Sequence, residues 1–316
     1  MDKDAKIFVA GHRGLVGDAI IRNLSQKGYT NLVTRTHKQL DLTRQQETEQ
    51  FFNKEKPRYV FLAAAKVGGI MANANSPAEF IYQNTMIAFN VINAAYKAGV
   101  KKLLNLGSSC IYPKFAPQPI HEQDLLTGQL EPTNEAYAIA KIAALRLCRH
   151  YNDQYGTNFI SAMPTNLYGP NDNFDLETSH VLPALIRKFH EAKTGKKPEV
   201  VLWGTGAPRR EFLHVDDLAD ALVFLMERCD YKNIGEIVNI GTGEDVTIKE
   251  LAETVQKIVG YQGKMHWDTT KPDGTPRKLL NVSRLHALGW THKIPLPIGI
   301  EETYRWFLAH SKVGEK

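Results

Sequence analysis

The chain has 316 residues, of which 43% are hydrophobic and 23% charged, and it contains three cysteines without a C-x-x-C pair. This length predicts two domains whose cores need no disulfide bonds, and the cysteine pattern argues against a structural zinc or other metal site. The net charge of +5 comes from interspersed residues, and the early apolar run covers only 7–10, so we expect a cytoplasmic protein that binds neither nucleic acid nor membrane.

Apolar runs and helix-period segments alternate through the first half of the chain. The runs predict strands at 6–10, 32–34, 59–64, 102–106 and 158–163, and the helical segments begin near Leu15, Thr43, Pro77 and Glu135. This order predicts an α/β fold with a Rossmann-like, doubly wound parallel sheet. After 164, loops separate short elements, and 215–228 and 247–259 predict further helices. We expect a smaller α/β C-terminal substrate domain that caps the sheet's crevice.

A glycine-rich segment follows the first predicted strand and opens the first predicted helix. Gly11 allows a tight turn, Gly14 lets the backbone approach a pyrophosphate, and Gly17 lets helix and strand pack closely. The spacing is G-x-x-G-x-x-G, and an ordinary turn is the alternative interpretation. Its position between strand and helix favours a dinucleotide site.

The end of the second predicted strand indicates which dinucleotide binds. Sites for NAD usually carry an acidic residue there, but no carboxylate stands between Thr34 at the strand end and Asp41. Arg13 and Arg35 are instead suited to a 2′-phosphate, which favours NADP, although a solvated charge is the alternative for Arg35. We expect Asp41 to hydrogen-bond the adenine edge.

Three residues predict a proton-transfer site. Tyr137 and Lys141 stand at i and i+4 of a predicted helix, and Ser108 lies just beyond the strand 102–106. A lysine ammonium beside a phenol is expected to lower the pKa of Tyr137 and make it a usable acid and base. Ser109 is the neighbour most easily confused with Ser108.

With these motifs, the sequence resembles the extended short-chain dehydrogenase/reductase family, in which Ser, Tyr and Lys do this work. The resemblance is closest to the 3,5-epimerase/4-reductases that act on GDP-4-keto-6-deoxymannose (GDP-4-dehydro-6-deoxy-D-mannose). It rests on AGHRGLVG at 10–17, AAAKVGGI at 63–70, LGSSCIYP at 106–113, EPTNEAYAIAK at 131–141, PTNLYGP at 164–170, REFLHVDD at 210–217 and KPDGTPRK at 271–278. These motifs cover nearly the whole chain.

The resemblance implies an NADPH-dependent enzyme that epimerises C3 and C5 and then reduces C4, giving GDP-L-fucose. The C4 ketone makes the protons at C3 and C5 acidic, so two further acid/base groups are required. The family places them at Cys110 and His180, which composition alone would describe as a buried small hydrophobe and a surface or helix-start residue.

The resemblance also assigns binding residues. Contacts to NADP(H) are implied for His12, Arg13, Leu15, Val16, Arg35, His37, Asp41, Leu42, Leu106, Gly107, Ser109, Lys141, Pro164, Thr165, Asn166, Leu167 and His180, in addition to the three glycines. Contacts to the GDP-sugar are implied for Lys188, Trp203, Arg210 and Asp273, with core packing as the alternative for Trp203. The family often has arginine where this chain has His37, which leaves the strictness of the NADPH preference open.

The resemblance implies a homodimer and divides the chain between two domains. Residues 1–165 plus about 213–241 would bind NADP, and about 166–212 plus 242–316 would bind the GDP-sugar. Two alternatives stay open. One is a related nucleotide-sugar enzyme, such as a GDP-mannose 3,5-epimerase or a 4-epimerase that regenerates its nicotinamide. The other is a non-catalytic NADP-binding sensor.

Overall fold

The structure is a computed structural model that describes residues 1–271 and 273–310 of the chain. Pro272 of the motif at 271–278 and the end of the predicted second domain, 311–316, lie outside the described residues, as do the side chains of Ile70 and Met71. In the described part of the chain, no helix has the length and apolar character needed to cross a membrane.

Strand bounds agree with the sequence pattern in the first half of the chain. The strands are β1 (Ile7–Ala10), β2 (Leu32–Val33), β3 (Tyr59–Leu62), β4 (Lys102–Leu106), β5 (Phe159–Pro164), β6 (Asn166–Tyr168), β7 (Glu199–Trp203), β8 (Arg209–Arg210), β9 (Phe212–His214), β10 (Val238–Ile240), β11 (Val246–Thr247), β12 (Lys264–Asp268) and β13 (Arg277–Lys278). β4 has its predicted bounds, and the other four predicted strands differ from theirs by one or two residues.

The helices also agree with the sequence pattern, except that α2 begins later than predicted. They are α1 (Leu15–Gln26), α2 (Gln45–Glu55), α3 (Ile70–Asn75), α4 (Pro77–Lys97), α5 (Glu135–Tyr155), α6 (Val181–Thr194), α7 (Val215–Arg228), α8 (Tyr231–Ile234), α9 (Ile248–Val259), α10 (Ser283–Ala287) and α11 (Leu296–His310). α2 begins at Gln45 rather than near Thr43, because the Asp41 carboxylate accepts hydrogen bonds from the Thr43 amide and hydroxyl and holds a turn there.

One parallel sheet organises the nucleotide part of the chain. Its strand order is β10-β5-β4-β3-β1-β2, and all of its paired strands are parallel. α1 and α7 pack on one face around Ile20 and Leu222, and α2, α4 and α5 pack on the other around Phe52 and Val91. The predicted doubly wound α/β fold is confirmed.

The C-terminal part is built from small sheets covered by helices. β8 pairs with β11 and β13, β7 with β12, and β6 with β9. α6, α9 and α11 share a core, and α9 begins with a capping box in which Thr247 and Glu250 bond each other's backbone amides.

The chain crosses between the two parts more than once. The segment after β9 forms α7 and then returns to the main sheet as β10. Leu285 of α10 and Trp290 also pack in the core beside the main sheet. Sequence order and spatial order therefore differ, and the domain boundaries given above stay a prediction.

Candidate active site

A cleft of about 640 Å³ opens where the first two strands end. The glycine loop and the end of β2 meet there, as the sequence predicts. The lining residues are Gly11, His12, Arg13, Gly14, Arg35, Thr36, His37, Lys38 and Gln39. This lining carries cationic side chains and lacks Asp and Glu, so it suits a phosphate group.

Each glycine of the loop is required or useful at its position for a different structural reason. Gly11 has φ +84°, and a Cβ there would lie 2.8 Å from the Ala64 backbone. A Cβ on Gly17 would lie 2.1 Å from the Gly11 carbonyl oxygen, so helix and loop require glycine. Gly14 precedes α1 and caps it without a side-chain hydrogen bond. The first amides of α1 are therefore available to a phosphate oxygen.

Arg35, one of the two residues predicted to hold a 2′-phosphate, is fixed at the rim of this cleft. Arg35 donates from Nη2 to Glu55 Oε1 at 2.6 Å and from Nη1 to the Thr34 carbonyl at 2.8 Å. Glu55 thus partly neutralises Arg35. His37 is exposed, with its Nδ1 3.8 Å from Asp41 Oδ1. Burial lowers the pKa of His12, and the charge of Arg13 lowers it further.

Asp41 and Leu42 lie beyond the residues that line the cleft. The Asp41 carboxylate is already used by Thr43, whose hydroxyl donates to it at 2.7 Å. The Leu42 carbonyl accepts from Asn90 at 2.9 Å. The predicted adenine contact of Asp41 stays a prediction. Thr43 donates to Oδ1, so Asp41 would make this contact through Oδ2.

The segments 106–109 and 164–167, which carry predicted contacts to NADP(H), meet at the carboxyl ends of β4 and β5. The Gly107 amide donates to the Ala162 carbonyl at 2.8 Å, which places 106–109 beside 164–167. Ser109 and Thr165 are buried, so their side chains offer little surface to a ligand. Leu15 and Val16 are the first two residues of α1. Pro164 is the last residue of β5, and Leu167 lies in β6.

Tyr137 and Lys141 lie together on α5. Lys141 Nζ is 5.6 Å from the Tyr137 ring centroid and donates to the Leu106 carbonyl at 2.7 Å, which ties α5 to β4. The expectation that Lys141 lowers the pKa of Tyr137 is wrong in this structure: burial raises that pKa, and a charge on Cys110 raises it further. Burial also lowers the pKa of Lys141 to about 8. Desolvation is therefore the main cause of both pKa changes.

Ser108 and Cys110 sit at the next turn of the chain. Ser108 Oγ accepts from the Cys110 amide at 3.4 Å and caps a short 3-10 turn. Ser109 is buried, whereas Ser108 and Cys110 are partly accessible. This arrangement favours Ser108 over Ser109, and it excludes the alternative of Cys110 as a fully buried core thiol.

His180 and Lys278 face the same space as Cys110. His180 stands immediately before α6, so it is both the predicted helix-start residue and part of the site. Burial lowers the pKa of His180, and the charge of Lys278 lowers it further. Burial also lowers the pKa of Lys278, and the charge of Cys110 opposes that change. Lys278 therefore lies near both His180 and Cys110, and Cys110 lies near Tyr137.

The predicted substrate residues form a line that leads away from Cys110. Trp203 is 63% exposed, so the alternative that it is a core residue is wrong. Lys188 Nζ and Lys271 Nζ each lie 5.7 Å from a Trp203 ring centroid. Asp273 accepts from the Thr205 amide and hydroxyl at 2.9 and 2.7 Å. Burial lowers the pKa of Lys188.

Arg210 completes this line toward the reaction centre. It stands opposite Lys278 in the β8–β13 pair, and a Cβ on Gly274 would lie 3.0 Å from Arg210 Nη2. An aromatic face therefore lies at one end of the line, guanidinium and ammonium groups in the middle, and the proton-transfer residues at the other end. Burial lowers the pKa of Arg210, which stays charged at neutral pH.

Sequence reasoning missed two residues of this region. Lys278 ends the motif at 271–278, but only the pairing of β13 with β8 places it beside Arg210. Glu211 is fully buried, and its carboxylate accepts from the amides of Thr242, Gly243 and Leu280. The one sequence signal that could have identified Lys278 and Glu211 is that each belongs to a motif quoted above, at 271–278 and at 210–217. Among the described residues, no group of three or more His, Cys, Asp or Glu side chains could hold a metal.

A family model matches this fold and site. The model of the NAD dependent epimerase/dehydratase family covers residues 7–241, which includes the glycine loop, Ser108, Tyr137 and Lys141. The chain belongs to this family.

Individual relatives match nearly the whole chain. It is 65% identical to "GDP-L-fucose synthase 1" of Arabidopsis thaliana, over 97% of this chain and 94% of the relative. It is 56% identical to "GDP-L-fucose synthase" of Escherichia coli K12, over 96% of each. The solved structure of a GDP-L-fucose synthetase from Naegleria fowleri bound to NADP superposes with a TM-score of 0.90 at 31% identity, covering 100% of this chain and 98% of the other. The resemblance predicted from the motifs is confirmed.

Proposed function

We propose that this protein converts GDP-4-dehydro-6-deoxy-D-mannose to GDP-L-fucose with NADPH, by epimerisation at C3 and C5 followed by reduction at C4. One observation carries the proposal. Lys278 lies close enough to His180 and to Cys110 for charge to act between them, and Cys110 acts in the same way on Tyr137 and Lys141. These five residues thus form one connected cluster that offers acid and base groups for both reactions. The identity to the plant and bacterial GDP-L-fucose synthases supports the substrate.

The cleft at the glycine loop fits the cofactor. Gly11 and Gly17 leave no room for a Cβ, and the uncapped start of α1 offers amides to a pyrophosphate. Arg13, Arg35 and Lys38 would hold the 2′-phosphate, and the segments 106–109 and 164–167 would hold the nicotinamide. When bound, NADPH supplies the hydride for C4. The NADP in the Naegleria fowleri structure supports this choice.

Epimerisation needs two groups on opposite faces of the sugar ring. At each carbon, one group removes the proton and another returns a proton to the other face, while the C4 ketone stabilises the enolate. Cys110 and His180 are suited to these roles because they reach the pocket from different segments, one after β4 and the other before α6. Lys278 places a positive charge near both groups.

Reduction needs an acid at the C4 oxygen. Burial raises the pKa of Tyr137, so the phenol stays protonated at neutral pH and can donate its proton as the hydride arrives. Ser108 would hydrogen-bond the same oxygen. Lys141, held by the Leu106 carbonyl, fixes the position of α5 beside it.

The GDP part would occupy the line from Trp203 to Arg210. The exposed indole offers a flat face for guanine, and Lys188 and Arg210 offer charges for the diphosphate. Asp273 is anchored by Thr205 at the edge of this region. These four assignments rest on this placement together with the family motif.

A reaction in heavy water tests the proposed function. Incubation of the protein with GDP-4-dehydro-6-deoxy-D-mannose and NADPH should oxidise one NADPH per sugar and place deuterium at C3 and C5 of the product, as read by NMR. NADPH oxidation without this deuterium would indicate a simple 4-reductase. Epimerisation without net NADPH oxidation would indicate an epimerase that regenerates its nicotinamide, and no change in either would indicate a non-catalytic sensor.

We also propose a homodimer formed through α4 and α5. Tyr82, Phe89 and Tyr96 recur every seven residues on α4 and are 63%, 37% and 37% exposed, so they share one face. Tyr96 also stacks on Tyr155 of α5, with ring centroids 4.5 Å apart. Such an aromatic stripe on two adjacent helices suits a second copy of the same surface.

Sedimentation of two variants tests this dimer. Tyr82→Glu together with Phe89→Glu should convert a dimer to a monomer. Phe115→Glu, which changes an 81% exposed aromatic outside these helices, should leave it a dimer. A wild-type monomer at micromolar concentration would refute the proposal.

A cytoplasmic location is proposed as well, because the three cysteines are free and Cys110 must stay a thiol to act.

A further inference from the structure

Asn171 joins the phosphate loop to a distant part of the chain. Its side-chain Nδ2 donates to the Arg13 carbonyl at 3.0 Å, across 158 positions of sequence. Its backbone has φ +68°, a left-handed conformation that few residues other than glycine adopt and that asparagine tolerates best. The conformation turns the chain directly after the motif at 164–170 and aims the amide at the loop.

The residues that follow Asn171 form a braced segment, 171–180, which we call the clasp. Asp175 Oδ1 accepts from the Thr178 amide at 3.0 Å and from the Thr178 hydroxyl at 2.9 Å. Asn173 Nδ2 donates to the same hydroxyl at 2.9 Å, and the Ser179 amide donates to the Asp175 carbonyl at 2.9 Å. These bonds make the clasp move as a unit rather than as a flexible loop.

The clasp ends at His180 and is anchored there a second time. The Gly69 amide donates to the Thr178 carbonyl at 3.0 Å. The side-chain Nδ2 of Asn73 donates to the Gly68 and Gly69 carbonyls at 2.8 and 3.1 Å, and these two bonds hold the Gly69 backbone in place. His180 also begins α6, so its position depends on that helix and on the attachments of the clasp, among them one to the segment at 68–73 and one, through Asn171, to the phosphate loop.

We propose that Asn171 is a positioning residue that couples occupation of the phosphate loop to the placement of His180. The Arg13 carbonyl belongs to the loop whose backbone would hold the cofactor pyrophosphate, so a ligand that orders the loop also orders the clasp. By reciprocity, ordering the clasp strengthens binding to the loop. The inference rests on the proposed function only in assigning proton transfer to His180.

Amide hydrogen exchange tests the coupling without any catalysis. In the wild-type protein, NADP⁺ should slow exchange in both the glycine loop and the clasp. Asn171→Gly keeps the left-handed backbone but removes the amide, so NADP⁺ should protect the loop and leave the clasp unchanged. Lys196→Gly is the matched control, because Lys196 is an exposed residue with φ +51° beyond α6. It should behave as the wild type.

Solvent exchange of the substrate tests the consequence for His180. NADP⁺, which cannot donate hydride, should accelerate deuterium uptake by GDP-4-dehydro-6-deoxy-D-mannose about two- to tenfold in the wild type, as expected for one net hydrogen bond. In Asn171→Gly the acceleration should vanish while the rate without cofactor stays the same. Asn171→Asp, which keeps the shape but replaces the donor with an acceptor, should match Asn171→Gly.

Two results would overturn the proposal. One is equal clasp protection by NADP⁺ in the wild type and in both Asn171 variants. The other is enzyme-catalysed deuterium uptake in the wild type whose rate NADP⁺ does not change. Neither result affects the proposed function, which is read separately from NADPH oxidation and product deuteration by the wild-type enzyme. Failure of that reaction with normal clasp protection would refute the function and leave the coupling standing.

Discussion

Glu211 carries the strongest prediction about how this site is held together. The side chain is fully buried, and Oε1 accepts from the Thr242 amide at 2.6 Å and the Gly243 amide at 2.8 Å. Oε2 accepts from the Leu280 amide at 3.0 Å. One carboxylate therefore joins the strand that carries Arg210, the loop after β10 and the chain just after β13.

The substitution Glu211→Gln removes one of these acceptors. A glutamine retains one oxygen for the 242–243 amides but turns an NH₂ group toward the Leu280 amide. A buried N–H without an acceptor costs about 1–3 kcal/mol, and the remaining bonds lose about 1 kcal/mol because their acceptor is no longer charged. Burial raises the pKa of Glu211, so removing its charge returns part of this cost. We expect a net loss of about 2 kcal/mol.

Urea unfolding with a matched control measures this loss. Glu211→Gln should lower the urea midpoint without changing the slope. It should also lower kcat/KM, because the attachments beside Arg210 and β13 loosen. Glu244→Gln makes the same chemical change at an exposed position in the same loop and should do neither. A Glu211→Gln protein with the wild-type midpoint would refute the assignment of Glu211 as a structural anchor.

Three further substitutions test the chemistry of the site. Tyr137→Phe should abolish NADPH oxidation while leaving NADP⁺ affinity and deuterium uptake at C3 and C5 nearly unchanged; retained reduction would remove Tyr137 as the acid. Cys110→Ser should slow deuterium uptake by about 10²–10⁴-fold, and full retention would make Cys110 a structural residue. Burial raises the pKa of Asp172 to about 7, so the native carboxyl stays protonated while the unfolded one ionises. The stabilisation by Asp172→Asn, measured by urea unfolding, should therefore grow between pH 4 and 7, by at most about 4 kcal/mol, and a pH-independent difference would contradict this.

The first half of the fold could be predicted because its signals are local. β4 and α7 have the bounds that the apolar pattern gives. A buried parallel strand is a continuous apolar run, and the glycine loop must stand between a strand and a helix. The candidate residues Ser108 and Tyr137 could be placed in the same way, because Ser108 follows the end of a strand and Tyr137 lies on a helix.

The substrate side could not be predicted to the same depth because its signals are not local. β8 and β13 have two residues each and pair across a long stretch of sequence. Glu211 has the residue type of a solvated surface charge but is buried, and Trp203 has the residue type of a core residue but is exposed. In both cases tertiary contacts decide the burial, and no periodicity in the sequence reports them.

The same division explains how the two proposed reactions depend on the fold. The proposed reduction would use Ser108, Tyr137 and Lys141, which stand at the end of β4 and on α5 beside the main sheet. Epimerisation also needs a group on the opposite face of the sugar ring, and a single edge of one sheet presents only one face. The proposed role of His180 therefore rests on a segment that the C-terminal part supports, and long-range attachments such as those of Asn171 and Gly69 contribute to its placement. Changes to these attachments should reduce epimerisation before they reduce hydride transfer to an already epimerised ketone.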